Sequence, residues 1–359
     1  MAIRNETRRG SRAERGWSAP SSLRRLSESA SFRPNESQCA SVGEHPCFTQ
    51  AKTRTRRSLN PAKSACRGQA VHNLLSAPSR LIIVRVSMLT ILFWNLAKRN
   101  LGTQVSALVF EHHVDILLLA ESAVPPVYLL QLLNPPAAAR YNFIPSRDSN
   151  IRPSKIQIFF GFGPEFISSR TDTGRATIRE IRLPGRTHFL LCGVHLQSRS
   201  VWGETDQAFE SSELNRTIRE EERKAGHSRT IVVGDFNMNP FDLGVTCASG
   251  FNAVMTRQIA LQGKRTLADR DHPFFFNPMW GLFGDGSARP GGTFFLPSPQ
   301  YASIYWHMLD QVLIRPDLIS EFDPSSLRIL SEYSAGPLTA ENGRPSVSDH
   351  LPILFKLNL

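Results

Sequence analysis

The chain has 359 residues, of which 41% are hydrophobic, and it is long enough for one large domain with a sizeable core. The formal net charge is +11, but residues 1–87 hold 16 Lys and Arg against 5 Asp and Glu, whereas the other 26 basic and 26 acidic residues cancel. The overall charge therefore describes the first quarter of the chain and does not indicate a nucleic-acid-binding surface on the remainder. No apolar run reaches the about 18 residues of a membrane-spanning helix, so we predict no transmembrane segment.

Residues 1–87 are rich in Arg and Ser and show no sustained apolar period, which predicts a disordered extension. Three interpretations stay open: an arm that binds polyanions such as nucleic acid or an anionic membrane, an organelle transit segment, or an extension that contributes little. Met88 directly precedes the first predicted strand. We therefore expect the functional domain to occupy residues 88–359.

The five cysteines are an odd number and include no CxxC pair. This pattern predicts neither a disulfide framework nor a zinc site, and it favours a reducing compartment. We expect a cytoplasmic protein that is a monomer.

From Leu89 onward short apolar runs recur, and each is typical of a strand. In chain order they cover residues 89–94, 114–120, 155–162, 188–196, 230–237, 309–314 and 351–357. Several are apolar on both alternating faces, which indicates strands that are covered on both sides. Helical spacing is present over residues 105–113 and 205–226, and the second of these ends at a glycine. The order predicts a layered α/β domain.

Acids, amides and imidazoles stand at the edges of these runs. They are Asn95, Glu121, His195, Asp235, Asn237, Asp310, Asp349 and His350. Taken singly, each could cap a loop or lie in solvent, but as a set they converge if the sheets bring one group of strand ends together. Carboxylate and amide oxygens are suitable ligands for Mg²⁺, and a cluster that binds Mg²⁺ in this way is expected to bind a phosphate ester.

Six motifs, in order along residues 88–359, resemble those of the endonuclease/exonuclease/phosphatase superfamily, the deoxyribonuclease I-like phosphoesterases. They are WN (Trp94 and Asn95), LLLAE (ending at Glu121), VHL (His195), GDFN (Gly234 to Asn237), LDQVLI (Asp310) and SDH (Ser348 to His350). The resemblance implies a four-layer α/β sandwich, in which two packed mixed β-sheets are flanked by helices. It also implies a phosphoesterase that depends on Mg²⁺, for which Mn²⁺ could substitute.

The resemblance implies a role for each matching residue. Asn95, Glu121 and Asp349 would hold the metal. Asp235 would orient or deprotonate the attacking water, and Asn237 would bind a phosphate oxygen. His350, paired with Asp310, would contact the phosphate in the transition state, and His195 would serve as the acid for the leaving group. Ala97 stands where abasic-site endonucleases carry an Asp, which argues against a close relative of those enzymes.

The function expected from this resemblance is hydrolysis of a phosphodiester, nuclease-like, with nucleic acid as a candidate substrate. Two alternatives stay open: a phosphomonoesterase acting on inositol or lipid phosphates, and a binding protein that has lost activity. The neutral domain shows no stripe of charge that would track a phosphate backbone. Charge could still gather in space through two basic groups, namely Arg147, Arg152 and Lys155, or Arg170, Arg175 and Arg179.

Overall fold

The computed structural model describes residues 88–136, 140–145, 155–199, 202–286, 290–298 and 303–359. The extension predicted over residues 1–87 lies outside the described residues, so its disorder and its binding of polyanions stay predictions. In the described ranges, no helix combines the length and the apolar character that crossing a membrane requires.

Short elements alternate along the described chain. The strands are β1 (Leu89–Asn95), β2 (Ile116–Ala120), β3 (Asn142–Phe143), β4 (Ile156–Phe160), β5 (Ile167–Asp172), β6 (Ala176–Ile181), β7 (Phe189–His195), β8 (Thr230–Asp235), β9 (Ala253–Val254), β10 (Lys264–Leu267), β11 (Arg270–Pro273), β12 (Phe275–Phe276), β13 (Phe294–Phe295), β14 (Trp306–His307), β15 (Asp310–Ile314), β16 (Phe322–Ile329), β17 (Glu332–Tyr333), β18 (Gly336–Pro337) and β19 (Ile353–Leu357). The helices are α1 (Gly102–Glu111), α2 (Pro126–Leu133), α3 (Glu204–Ala225), α4 (Leu243–Thr246) and α5 (Arg257–Ala260), with 3-10 turns at Pro164–Phe166, Pro278–Leu282 and Pro316–Leu318.

Two mixed sheets hold all seven predicted strands. The first sheet has the order β16-β19-β1-β2-β4-β3, and the second has the order β5-β6-β7-β8-β15-β12-β9. In the first sheet β1 runs parallel to β2 and antiparallel to β19. In the second sheet β8 runs parallel to β7 and antiparallel to β15. The two predicted helices correspond to α1 and α3.

The apolar side chains of the central strands point alternately to the two faces of each sheet and lie in three apolar cores. Ile91 and Phe93 of β1 share a core with Ile231 and Val233 of β8, so this core lies between the two sheets. The intervening residues of β1 pack in a second core with residues of α1 and α2, and those of β8 pack in a third core with residues of α3. Because a strand presents successive side chains to opposite faces, strands apolar on both faces require a layer on each side. The predicted four-layer α/β sandwich is confirmed.

Helix α3 places a polar side chain at the end of the second sheet. It begins after Gly203, whose N–H is accepted by Asp206 at 3.2 Å, and it ends at Gly226, which has a left-handed φ of 76°. In the first turn of the helix, the side-chain amide nitrogen Nε2 of Gln207 donates a hydrogen bond to the backbone carbonyl of Asn237 at 2.9 Å. The helix therefore fixes the loop that follows β8.

The glycine of the GDFN motif is required by close packing. Gly234 has φ 153°, and a Cβ at this position would lie 2.0 Å from the carbonyl oxygen of Val194 on β7. Any side chain would force β7 and β8 apart just before Asp235. A glycine therefore sets the position of the acid that follows it.

Candidate active site

The predicted site residues meet at one edge of the two sheets. A cleft of about 970 Å³ is lined by seven of the eight: Asn95, Glu121, His195, Asp235, Asn237, Asp349 and His350. The eighth, Asp310, is fully buried and contacts His350. The convergence expected from the strand ends is what the structure shows.

Asp235 is the hub of the polar network. Its Oδ2 accepts hydrogen bonds from Asn95 Nδ2 at 2.9 Å and Asn237 Nδ2 at 3.1 Å, and its Oδ1 accepts from the Asn237 N–H at 2.8 Å. The bond from Asn95 joins the first sheet to the second. Asp235 is 1% exposed, and this burial raises the pKa of its carboxyl group to about 6. The negative charge of Asp310 also raises the pKa, whereas the positive charge of His350 lowers it. A carboxyl that titrates near neutral pH suits a general base.

Asn237 is committed to this network. Its φ is 52°, in the left-handed region that Asn tolerates, and Nδ2 donates both to Asp235 and to the carbonyl of Leu196 at 3.0 Å. Both amide hydrogens are therefore used within the protein. In this structure Asn237 positions Asp235, and its predicted bond to a phosphate oxygen would require one of these bonds to be released.

Asp310 and His350 form a buried pair. The ring Nδ1 of His350 lies 2.8 Å from Asp310 Oδ2. Burial alone disfavours the charged ring, but the charge and hydrogen bond of Asp310 outweigh it and raise the pKa of His350 to about 10. At neutral pH the ring is an imidazolium that faces the cleft. Both of its nitrogens are then protonated, so in this state the ring cannot bind a metal.

Neighbouring groups fix the orientation of this pair. The indole of Trp94 donates to the carbonyl of His350 at 2.9 Å, and the Phe294 ring lies 4.8 Å from the imidazole. The Thr293 hydroxyl accepts the N–H of Asp310 at 3.1 Å. The tryptophan of the WN motif thus supports the histidine of the SDH motif, which stands 256 residues later.

Glu121 and His195 form a second pair beside Asp235. The Nε2 atom of His195 lies 3.2 Å from Glu121 Oε1 and 3.6 Å from Asp235 Oδ2. The hydrogen bond from His195 lowers the pKa of Glu121, which stays ionised, and Lys98 contributes in the same direction. Glu121 has φ 46°, an uncommon conformation for this residue type, and such outliers concentrate at functional sites.

The donors that a metal would meet are oxygens. Glu121 offers an ionised carboxylate at the cleft, and Asp349 offers a carboxyl group on a side chain that is 53% exposed. The buried Oδ1 of Asp310 has no hydrogen-bond partner among the described residues. This set fits a hard divalent cation. Among the described residues, Asp235, Asp310 and His350 form a group whose potential ligand atoms all lie within 4.8 Å of one another. This group differs from the predicted metal ligands, which are Asn95, Glu121 and Asp349.

The side chain of Asn95 makes hydrogen bonds within the protein in addition to its predicted contact with a metal. Its Nδ2 is used by Asp235, and its Oδ1 accepts the N–H of Ala97 at 3.0 Å. The carbonyl of the Asn95 backbone accepts the hydroxyl of Ser348 at 2.8 Å. The side-chain oxygen keeps one lone pair for a cation, and its role as a ligand stays a prediction.

Two polar residues that the sequence pattern did not single out, Asn239 and His307, also line the cleft. Asn239 accepts the N–H of Met308 through Oδ1 at 3.0 Å, and its Nδ2 faces His307 Nδ1 at 3.1 Å. Because the amide must donate there, His307 is neutral with its proton on Nε2, and burial lowers its pKa. The second Asn of the segment GDFNMN is Asn239, and its place directly after the GDFN motif was the sequence feature that could have indicated it.

The basic residues named from the sequence separate into two kinds. Arg170 binds Glu180, and Arg179 binds Asp172 at 2.7 Å, so both are structural ion pairs. Lys155 and Arg175 instead line the cleft. The predicted contributions of Arg147 and Arg152 lie outside the described residues.

No family model matches the chain, and no curated protein matches it. Solved structures do match it. The human Nocturnin catalytic domain with bound sulfate is 17% identical, the match covers 76% of this chain and 94% of that chain, and the TM-score is 0.45. The D. rerio TDP2 complexed with a single-strand DNA product is 16% identical over 76% of this chain and 100% of that chain, with a TM-score of 0.45. An endonuclease/exonuclease/phosphatase family protein from Bacteroides thetaiotaomicron is 14% identical over 75% of this chain and 97% of that chain, with a TM-score of 0.44.

The chain is similar to endonuclease/exonuclease/phosphatase proteins. Identities of 14–17% and TM-scores of 0.44–0.45 say nothing about activity or residue roles.

Proposed function

We propose that the chain is a divalent-metal-dependent phosphoesterase of the endonuclease/exonuclease/phosphatase type, which hydrolyses a phosphodiester bond. The observation that carries the proposal is the arrangement around Asp235. A buried carboxyl with a pKa of about 6 stands beside a histidine with a pKa of about 10 and an ionised glutamate in one cleft. A base, a fixed cation and an oxygen ligand are the groups that phosphoryl-ester hydrolysis needs.

Asp235 is the base in this proposal. Above a pH of about 6 it is ionised, and hydrogen bonds from Asn95 and Asn237 hold its carboxylate in one orientation. An oriented carboxylate can align a water molecule and take its proton. Asn95 and Asn237 then act as positioning residues for Asp235.

His350 supplies positive charge where the phosphate gains negative charge. Asp310 keeps the ring protonated and fixes its rotation, so that no reorganisation is needed during the reaction. His195 holds a proton at Nε2 between Glu121 and Asp235, and we assign that proton to the leaving group. The two histidines thus have separate tasks.

Glu121, Asp349 and Asn95 would hold Mg²⁺, and Mn²⁺ should substitute because the donors are all oxygens. When bound, the cation neutralises charge on the nonbridging phosphate oxygens. Two further parts of the proposal, a cytoplasmic location and a monomeric state, stay predictions. The free and buried Cys192 and the free Cys247 are compatible with a reducing compartment.

The test is hydrolysis of bis-p-nitrophenyl phosphate, p-nitrophenyl phosphate, plasmid DNA, RNA, sphingomyelin and phosphoinositides, each with Mg²⁺, with Mn²⁺ and with EDTA. We expect the diester to be cleaved with either metal and EDTA to abolish turnover. Glu121→Gln should raise the Mg²⁺ concentration for half-maximal rate by about tenfold or more, since a charged ligand is lost. The exposed Glu332, in the β17–β18 hairpin, gives the matched control Glu332→Gln.

Three outcomes would overturn parts of this assignment. Full activity in EDTA would remove the metal. Faster hydrolysis of the monoester than of the diester would favour the phosphomonoesterase alternative. No hydrolysis of any ester would leave a binding protein that keeps the fold.

A further inference from the structure

Two basic side chains flank the Glu121–His195 pair, one from each sheet. In the first sheet, β2 and β4 are antiparallel with Ala120 opposite Ile156. Glu121 directly follows β2, and Lys155 directly precedes β4. Because neighbouring strands lie about 4.8 Å apart, the two residues leave the sheet at adjacent strand ends, and both line the same cleft.

The second sheet repeats the arrangement. Strands β6 and β7 are antiparallel with Ala176 opposite Val194, and the N–H of His195 donates to the carbonyl of Arg175 at 2.9 Å. Arg175 therefore stands directly across from His195. Arg175 is thus the cross-strand neighbour of His195, on the side away from Asp235, and Lys155 stands at the strand end next to that of Glu121.

Nearby acids offset only part of the positive charge of Lys155 and Arg175. The Nε of Arg175 lies 3.5 Å from Glu210, whose other oxygen accepts the N–H of Gln197 at 3.0 Å. Among the described residues, Lys155 makes no ion pair within 4 Å. Burial and then the charge of Arg175 lower the pKa of the Lys155 ammonium, which indicates that the two cations lie near each other. Two cations at a cleft wall, one of them without an ion pair among the described residues, are suited to an anion.

We propose that Lys155 and Arg175 form a second phosphate-binding subsite, which holds a phosphate adjacent to the one that is hydrolysed. The inference rests on the proposed function and narrows its substrate class. The preferred substrate would carry a second phosphate one linkage away from the scissile diester, as an oligonucleotide does. A diester with a single phosphate would leave the subsite empty and bind more weakly.

A simpler role for the two cations is to offset the carboxylates of the cleft. In that case their loss would affect all substrates alike. A phosphate-binding subsite instead predicts that their loss matters only for substrates with a second phosphate. The comparison therefore has to be made between substrates that differ by that group alone.

The experiment uses the full chain and four chromogenic substrates in two pairs. The first pair is thymidine 5′-(p-nitrophenyl phosphate) without and with a 3′-phosphate, and the second pair is thymidine 3′-(p-nitrophenyl phosphate) without and with a 5′-phosphate. We expect the added phosphate to raise kcat/KM about tenfold in at least one pair, the scale of one or two charge-assisted hydrogen bonds. Lys155→Gln with Arg175→Gln should reduce that gain to about one.

Two further variants keep the test specific. Lys155→Arg retains the charge and should retain most of the gain. Lys264→Gln changes a lysine on the β10–β11 hairpin, outside the cleft lining, and should leave the gain unchanged. Thermal unfolding of every variant separates loss of the subsite from loss of the fold.

A wild-type protein that hydrolyses the esters without any gain from the added phosphate would overturn the subsite and leave the proposed function intact. Survival of the gain in the double variant would also overturn it. If no ester is hydrolysed, the proposed function fails, and binding decides the subsite. Thymidine 3′,5′-bisphosphate should then bind about tenfold more tightly than either monophosphate, and equal affinities would refute the subsite.

Discussion

Replacing Asp310 with Asn should remove the charge that keeps His350 protonated. Asp310→Asn preserves the shape of the side chain and still offers an oxygen to His350 Nδ1 at the 2.8 Å position. Without the negative charge, burial is the dominant influence left on the ring, and burial disfavours the imidazolium. We therefore expect the pKa of His350 to fall from about 10 to its ordinary value or below.

The magnitude follows from proton linkage. The pKa of His350 is raised from 6.5 to about 10 in the folded protein, so its stabilising contribution is fully present below pH 6.5 and is lost as the pH rises through 10. At 1.36 kcal/mol per pKa unit, the full contribution is about 5 kcal/mol. The stability difference between the wild type and Asp310→Asn should shrink by about 1.4 kcal/mol for each pH unit between these limits.

Two measurements check this expectation. Urea unfolding at several pH values between 6.5 and 10 gives the slope of the stability difference. A nuclear magnetic resonance titration of ¹³C-labelled histidine gives the pKa directly, with the His350 signal assigned by its absence in His350→Gln. Asp323→Asn, at a half-buried acid on β16, is the matched control and should leave the His350 pKa unchanged.

Either of two results would refute the reasoning. One is a His350 signal that titrates near 6.5 in the wild type. The other is a stability difference between the wild type and Asp310→Asn that does not change with pH. In both cases the buried pair would not be ionic.

Three further predictions concern catalysis, the extension and the fold. Asp235→Ala and His350→Ala should each lower kcat on a phosphodiester by at least about 10²-fold, the scale for one positioned base or charge; a rate near that of the wild type would remove the assigned role. A chain that begins at Met88 should fold and keep its kcat on a small diester, because all six motifs follow Met88, but it should bind DNA with a weaker salt dependence. An insoluble or inactive shortened chain would contradict this boundary. Gly234→Ala should destabilise the fold by at least about 2 kcal/mol, since its Cβ would meet the Val194 carbonyl at 2.0 Å; a thermal unfolding midpoint equal to that of the wild type would contradict this expectation.

Local patterns in the sequence are enough to predict the layered fold and the residues that line the cleft. Apolar runs of strand length, each with polar residues at its edge, indicated both where the strands lie and which side chains leave them. Seven of the eight side chains named from this pattern line the cleft, and the eighth, Asp310, lies behind His350. This worked because strand ends are local features, so a residue's neighbours in sequence already place it at a sheet edge.

The contacts that these side chains make depend on parts of the chain that are far apart in sequence. Asn95 is predicted to hold the metal, and packing of the two sheets adds a contact that the sequence does not indicate, since it brings the Asn95 amide within 2.9 Å of Asp235, which stands 140 residues later. The near-neutral pKa of Asp235 comes from burial and from Asp310, which strand pairing places opposite it. Likewise Lys155 and Arg170 looked alike in the sequence, yet one faces the cleft and the other is paired with Glu180. Hydrogen bonds and charge pairs between distant residues depend on strand order, register and burial, which local periodicity does not contain.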